Sequence, residues 1–308
     1  MRRRVAAWTA LFTALCGWVG VGALIGEAPT ASAQEDTPSP VVIERLQRAA
    51  YWPAEGEENR PLTVLAIGSD ARPGDEVEAH LADSLHLITI NPEANGATIL
   101  GFPRDSYVEI PGVGTRKINE ALFSGGAERV AETIEGLTGI PVDYYFLTGF
   151  EGFKRMVGAV GGIEVHIPYA MNDSASGAVF DEGPQVLDGS QALAFSRNRK
   201  NTPNGDFSRS ENQGIFIHSA LIALHRAYIE DPTAIFQWMV AGVTNTQTNL
   251  SLGELLQLAT TMMQIDPAKV TNLVVPGSTG SAGDASVVFI SDAAQDIYAD
   301  IRDDGIIG

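Results

Sequence analysis

Four cations fall within fourteen residues, at Ser196-Arg197-Asn198-Arg199-Lys200 and Asp206-Phe207-Ser208-Arg209, in a chain whose formal net charge is −18. Gln213 follows closely. A basic island in so acidic a protein calls for an anion. Arginine suits phosphate because its planar guanidinium donates two parallel hydrogen bonds to phosphate oxygens. Asp70, Asp83 and the turn Pro103-Arg104-Asp105 add carboxylates and a further arginine from earlier in the chain. Arginines beside carboxylates able to hold a divalent metal point to a pyrophosphate site. Charge patterning alone leaves a second reading open, a solvated charged helix end. Isolated loop aspartates, in turn, are commonest as turn formers.

Other chemistries are excluded by what the sequence lacks. His218 and His225 are seven apart, and no His-Glu-x-x-His spacing supports zinc. Neither a Gly-x-Ser-x-Gly elbow nor a Gly-rich phosphate loop ending in lysine occurs, which removes serine-esterase and ATPase readings. The isoelectric point of about 4.6 argues against nucleic acid as a partner. The one cysteine, Cys16, lies in the N-terminal apolar run, so the folded part has neither disulfide nor thiolate metal site.

The elements that must carry these residues follow from periodicity. Short apolar, β-branched runs at Leu62–Ile67, Ser84–Ile90, Thr98–Phe102, Val142–Leu147, Ile163–Ile167, Val270–Val275 and Ser286–Phe289 predict strands. The turn Asn91–Gly96 joins two of them as a hairpin. Helices are predicted from Leu122 to a stop at Gly139, over Phe150–Val160 before Gly161-Gly162, and after an Asp188 cap, that one ending in the arginine island. Further helices run over Ser210–Arg226, from an Asp231-Pro232 start, from a Ser251 cap, and over Asp292–Arg302. The segment from Pro168 to Val186 reads as irregular. Strands alternating with helices give an α/β fold, a three-layer α-β-α sandwich, and the adjacent hairpin strands make its central sheet mixed. The loop Ser69–Asp75 leaves the carboxyl end of the first strand, where open α/β sheets bind ligands.

Three arginines precede an apolar run from Val5 to Ile25, a cytoplasmic start followed by a membrane helix. Ala31-Ser32-Ala33 also looks like a cleavage site, so residues 1–33 are an anchor or an export signal. Residues 34–61 read as a linker, with a short amphipathic helix around Val41–Tyr51. Residues 62–308 read as one catalytic domain outside the cytoplasm, either membrane-held in a single pass or secreted after cleavage near Ala33.

In order and spacing, a series of short segments resembles the LytR-CpsA-Psr family of cell-envelope phosphotransferases. They are Gly68-Ser69-Asp70-Ala71-Arg72, Asp83-Ser84, Pro103-Arg104-Asp105, Ile110-Pro111-Gly112, Lys117-Ile118-Asn119, Gly161-Gly162-Ile163-Glu164-Val165, Leu187-Asp188-Gly189, the arginine island and Gln213. The resemblance implies transfer of a polyprenyl-pyrophosphate-linked glycopolymer to a peptidoglycan hydroxyl, leaving polyprenyl phosphate. It implies Mg²⁺ at Asp70 and Asp83, and pyrophosphate contacts at Arg72, Arg104, Lys117, Arg197, Arg199, Arg209 and Gln213. Arg104, Asp105, Arg199 and Asp206 are the catalytic candidates, with Asp105 or Asp206 as base for the acceptor hydroxyl. Phe102 and Ala82 depart from the family pattern, and Ala82 stands where a further cation is often found. Hydrolysis by the same residues, or lipid binding without turnover, stays open. A lipid tail needs an apolar trough. Phe216, Ile217, Leu221, Leu224, Ile235, Phe236 and Met239 are either its lining or ordinary core.

Overall fold

The computed structural model describes residues 60–200 and 202–308. The expected membrane helix, the cleavage site near Ala33 and the helix around Val41–Tyr51 lie outside the described residues. Among those described, no helix is long and apolar enough to cross a membrane.

The chain opens with β1 (Leu62–Ser69), β2 (Ala82–Asn91), β3 (Gly96–Gly101) and a small hairpin of β4 (Tyr107–Ile110) and β5 (Gly114–Lys117). Helix α1 (Glu120–Thr138), strand β6 (Tyr144–Thr148) and helix α2 (Phe150–Ala159) follow. Then come β7 (Ile163–Ile167), β8 (Met171–Asp173), β9 (Ala178–Phe180) and β10 (Gly183–Leu187). Three helices succeed them, α3 (Gly189–Arg197), α4 (Asp206–Glu230) and α5 (Ala234–Val243). The chain closes with β11 (Gln247–Thr248), α6 (Leu252–Met262), β12 (Val270–Val274), β13 (Gly277–Ala282), β14 (Ala285–Ile290) and α7 (Ala293–Asp304).

The central sheet has the order β11-β6-β1-β2-β3-β12. β1 pairs antiparallel with β2 and parallel with β6, and β12 runs parallel to β3, so the sheet is mixed as expected. Its strands are apolar on both faces because both are covered. Leu65, Ile67, Leu85, Leu87 and Leu100 pack against Val130 and Ile134 of α1 and Tyr298 and Ile301 of α7. The alternate residues Leu62, Val64, Ile90 and Ala97 face Leu221 of α4 and Leu258 of α6. The period-2 alternation of strand side chains thus divides one sheet between two helical layers. A third apolar cluster joins α2, β7, α3 and Phe216 of α4.

Local chemistry sets the ends. Gly139 stops α1 in the left-handed conformation (φ 69°), its N–H bonded to the Glu135 carbonyl at 2.8 Å. Asp188 and Gln191 form a capping box at the start of α3, and Ser251 and Glu254 another at α6. The Asp231-Pro232 helix begins later than the sequence suggests. The Asp231 carboxylate accepts from the N–H and hydroxyl of Thr233, and α5 starts at Ala234. The stretch from Pro168 to Val186, expected to be irregular, holds the β8–β9 hairpin and β10, which pairs with β7.

Candidate functional site

The site residues gather at one end of the central sheet. β1 ends there at Gly68-Ser69, β2 starts there, the Pro103–Asp105 turn leaves β3, α3 ends in Arg197, and α4 begins at Asp206. The β1–β2 ladder pairs Gly68 with Ser84 and Ser69 with Ala82, leaving Asp83 as an extra, bulged residue. Bulges of this kind re-aim a side chain at a sheet edge. Asp83 accepts an ion pair from Arg104 Nη1. Asp70 stands opposite, its N–H on the Leu81 carbonyl at 3.0 Å and its Oδ1 accepting from Leu81 N–H at 3.1 Å. His80 holds the same loop, 3.6 Å from Asp70 Oδ1 and 3.2 Å from Asp75 Oδ2. Nothing in the sequence marks this histidine, since its role depends on the loop folding back.

The cations share one electrostatic field. Burial alone would lower the pKa of Arg104, but Asp83, Asp105 and Asp206 raise it above its ordinary value. Burial lowers that of Arg209, and Arg104 and Arg199 add to the effect despite Asp206 and Asp83. Arg209 is buried and pairs one turn back with Asp206 in the first turn of α4. Asp105 pairs with Lys117 at 3.1 Å. Arg197 lies over the Phe150 ring with its guanidinium carbon 4.5 Å from the centroid, a cation–π contact. Arg199 is exposed on the loop after α3. That loop is fixed by Asp173 of β8. Burial would raise the Asp173 pKa, but hydrogen bonds from Ala175, Ser176 and the backbone N–H groups of Lys200 and Arg199 hold it below the usual carboxylate range. Arg72 is exposed on the Asp70–Asp75 loop and lies outside the ion-paired group.

Gln213 has a bracing geometry. Its Nε2 donates to the Asp83 carbonyl at 3.1 Å and the Ser196 carbonyl at 3.0 Å, leaving its oxygen as the atom able to meet a ligand. It ties the β2 bulge to the end of α3 across α4. Two buried atoms in the cluster, Arg104 Nε and Asp206 Oδ2, lack a hydrogen-bond partner among the described residues. Buried polar groups are normally paired, so this part of the cluster is left with unmet hydrogen-bonding capacity.

Beside Arg197 and Asp83 lies a cavity of about 290 Å³. Its polar rim includes Ser69, Asp83, Ser84, Arg197 and Gln213, and its wall includes Phe146, Phe150, Phe153, Met156, Leu193 and Phe216. Of the expected trough residues, Phe216 and Ile217 line it. Leu221 instead packs under the sheet, and Phe236 points outward, 56% exposed. The α2 contribution, Phe150, Phe153 and Met156, has no signal of its own in the sequence, because those residues also fit an ordinary amphipathic helix.

A divalent cation fits the donors in chemistry. Asp70 and Asp83 each have one oxygen engaged, by Leu81 N–H and His80 on the first and by Arg104 on the second, and the other oxygen of each makes no hydrogen bond or ion pair among the described residues. No group of three or more potential metal-binding side chains occurs among the described residues.

The model of the LytR_cpsA_psr family matches residues 26–300. A Bacillus licheniformis protein named polyisoprenyl-teichoic acid–peptidoglycan teichoic acid transferase TagU is 36% identical over 200 residues, 65% of this chain and 63% of that one. An Enterococcus faecalis protein of the same name is 33% identical over 218 residues, 70% of each chain. This chain therefore spans less than two thirds of the Bacillus licheniformis relative. The crystal structure of B. subtilis TagV superposes with a TM-score of 0.67 and 27% identity, covering 78% of this chain and 94% of that one.

Proposed function

This chain belongs to the LytR_cpsA_psr family, and from that premise we propose that it is a phosphotransferase of the cell envelope. It moves a glycopolymer from a polyprenyl-pyrophosphate carrier to a peptidoglycan hydroxyl. The hydroxyl oxygen bonds to the glycan-bearing phosphorus, the P–O–P bridge breaks, and polyprenyl phosphate leaves with the bridging oxygen. The hydroxyl proton passes to a base or to water. The observation that carries this reading is the continuity of two surfaces, an apolar cavity whose polar rim holds Arg197 and Asp83, and the arginine cluster that Arg104 joins to that rim through Asp83. A ligand charged at one end and apolar at the other matches that pair. The names of the relatives support the same activity.

Each residue follows from its place. Arg104, Arg197, Arg199 and Arg209 offset charge on the pyrophosphate, more strongly as the leaving phosphate forms, which is differential stabilisation of the transition state. Asp206 orients Arg209, so Asp105 is the better candidate base, with Lys117 as its partner. Gln213 holds the rim together. Asp70 and Asp83 would hold Mg²⁺, which would neutralise charge on the transferred phosphoryl group. The cavity falls at the lower edge of ligand sites of about 300–1,000 Å³, so it seats the isoprene units next to the pyrophosphate while the rest of the tail stays in lipid. A membrane partner and an extracytoplasmic location are supported by the Val5–Ile25 run. The membrane partner is also supported by Phe236, Val240 and Val243, an exposed apolar stripe at i, i+4, i+7 on α5. Gly242 and Thr246, at the end of that helix, reach the cavity wall.

The test uses the full chain in lipid with a polyprenyl-pyrophosphate glycan, peptidoglycan fragments and Mg²⁺. Mass spectrometry should find a phosphodiester-linked product that needs acceptor and metal. Free sugar phosphate at the same rate without acceptor would make the protein a hydrolase. Donor binding without turnover would make it a carrier or regulator.

A further inference from the structure

Ser84 and His86 lie two apart on β2 and so share one face of the strand. Ser84 lines the cavity beside Asp83, and its Oγ is 3.2 Å from His86 Nδ1. His86 is fully buried, and its Nε2 is 3.0 Å from the Ser210 carbonyl on α4. A carbonyl oxygen can only accept, so Nε2 carries the proton. Burial keeps the ring neutral, with its pKa lowered to about 4 against a weaker opposing effect of the Ser210 carbonyl. A neutral ring protonated at Nε2 presents a lone pair at Nδ1. The Ser84 hydroxyl therefore donates to the histidine, and its remaining lone pairs face the cavity. The room for this arrangement comes from Gly101, where an added Cβ would lie 2.9 Å from His86 Nε2 and 2.4 Å from Ser210 Oγ. Gly68 likewise allows β1 to approach, its added Cβ falling 3.0 Å from that of Ser84.

We propose that His86 is a positioning residue that fixes Ser84 as a hydrogen-bond acceptor on the cavity rim, and that Ser84 accepts from a hydroxyl or amide N–H of the peptidoglycan acceptor next to the attacking hydroxyl, whose own proton goes to the base. The proposal rests on the transferase reading. In that reaction the pyrophosphate oxygens carry no proton to donate at neutral pH and the lipid tail has none, whereas the incoming sugar carries hydroxyl and amide protons besides the one that the base takes. His86 does not serve as the base, because so low a proton affinity in a buried ring leaves it a poor proton sink. Its work is to remove the alternative in which Ser84 turns its own proton toward a phosphate.

The experiment has two arms on the full chain. In the first, nitrogen NMR of His86 at neutral pH should report a neutral ring protonated at Nε2, with the Nδ1 signal shifting in Ser84→Ala. A proton on Nδ1, or an imidazolium, would overturn the proposal whatever the enzyme does. In the second, Ser84→Ala and His86→Leu should each raise the acceptor KM about tenfold, with donor affinity unchanged. Their double variant should be no worse than Ser84→Ala. His86→Gln, whose amide can donate to Ser210 and accept from Ser84, should recover much of the loss. A raised Mg²⁺ requirement or weakened donor binding in Ser84→Ala, with acceptor KM unchanged, would assign Ser84 elsewhere and overturn the proposal. Wild-type protein that binds donor but transfers nothing would defeat the transferase reading, and the acceptor assignment with it, even where the tautomer is as described.

Discussion

Arg199 and Arg209 carry the same charge in opposite surroundings. Arg209 is buried against Asp206, and removing one partner of such a pair leaves the other charge uncompensated. Arg209→Ala is therefore expected to cost about 3–5 kcal/mol in denaturant unfolding. Arg199 is exposed, and Arg199→Ala should alter stability by no more than about 0.5 kcal/mol while abolishing most transfer. Equal destabilisation by both would make Arg199 a structural residue. His86 sets a second expectation. Its pKa of about 4 in the fold lies below the ordinary 6.5, so the unfolded chain binds a proton that the folded chain refuses. Stability is intact above the unfolded value and falls as pH drops from about 6.5 toward 4, by on the order of 3 kcal/mol. Urea titrations across that window should show the slope in the wild type and a flatter one in His86→Gln.

At the scale of elements, the arginine rim depends on how closely α3 meets α2. A Cβ on Gly189 would lie 2.2 Å from the Lys154 carbonyl oxygen and 2.8 Å from two further backbone atoms of that residue. Neither backbone can yield without moving the helix that ends in Arg197. Gly189→Ala should cost about 1–3 kcal/mol from overpacking. Asp188→Ala, which removes the capping box, should cost about 1 kcal/mol. Calorimetry of both would rank them in that order, and the reverse would mean that the cap, not the close approach, holds α3. The same elements show what the sequence could reveal. The apolar runs of β1, β2 and β3, the stop at Gly139 and the cap at Asp188 were legible because each is a local pattern. The β8–β9 hairpin was not. Its strands are three residues each and too short for alternation to register, yet Asp173 at its edge anchors the Arg199 loop. Asp70, Asp83 and the arginines were legible as a series of motifs in order. The contact of His86 with Ser210 spans 124 positions and exists only once α4 crosses β2. The division of Phe216 to the cavity and Leu221 to the sheet likewise depends on which layer each turn of α4 meets.

Taken as a whole, the molecule joins a polar rim to a small apolar cavity at one end of a mixed sheet, with helices covering both faces. The limited volume makes a prediction about the donor. Carriers cut to a few isoprene units should keep kcat/KM within a few-fold of the full-length carrier in detergent. A steep loss on shortening would mean that the tail is gripped well beyond the cavity. Filling the wall with Ala220→Trp should block short and long carriers alike, as read by donor binding. The central claim concerns the fate of the pyrophosphate bridge, and phosphorus NMR of a single reaction follows it directly. Wild-type protein with donor, acceptor and Mg²⁺ should convert the bridge signals into one diester and one monoester in equal amounts, and Arg104→Ala should leave them intact. Two monoesters and no diester, with acceptor present, would contradict the account.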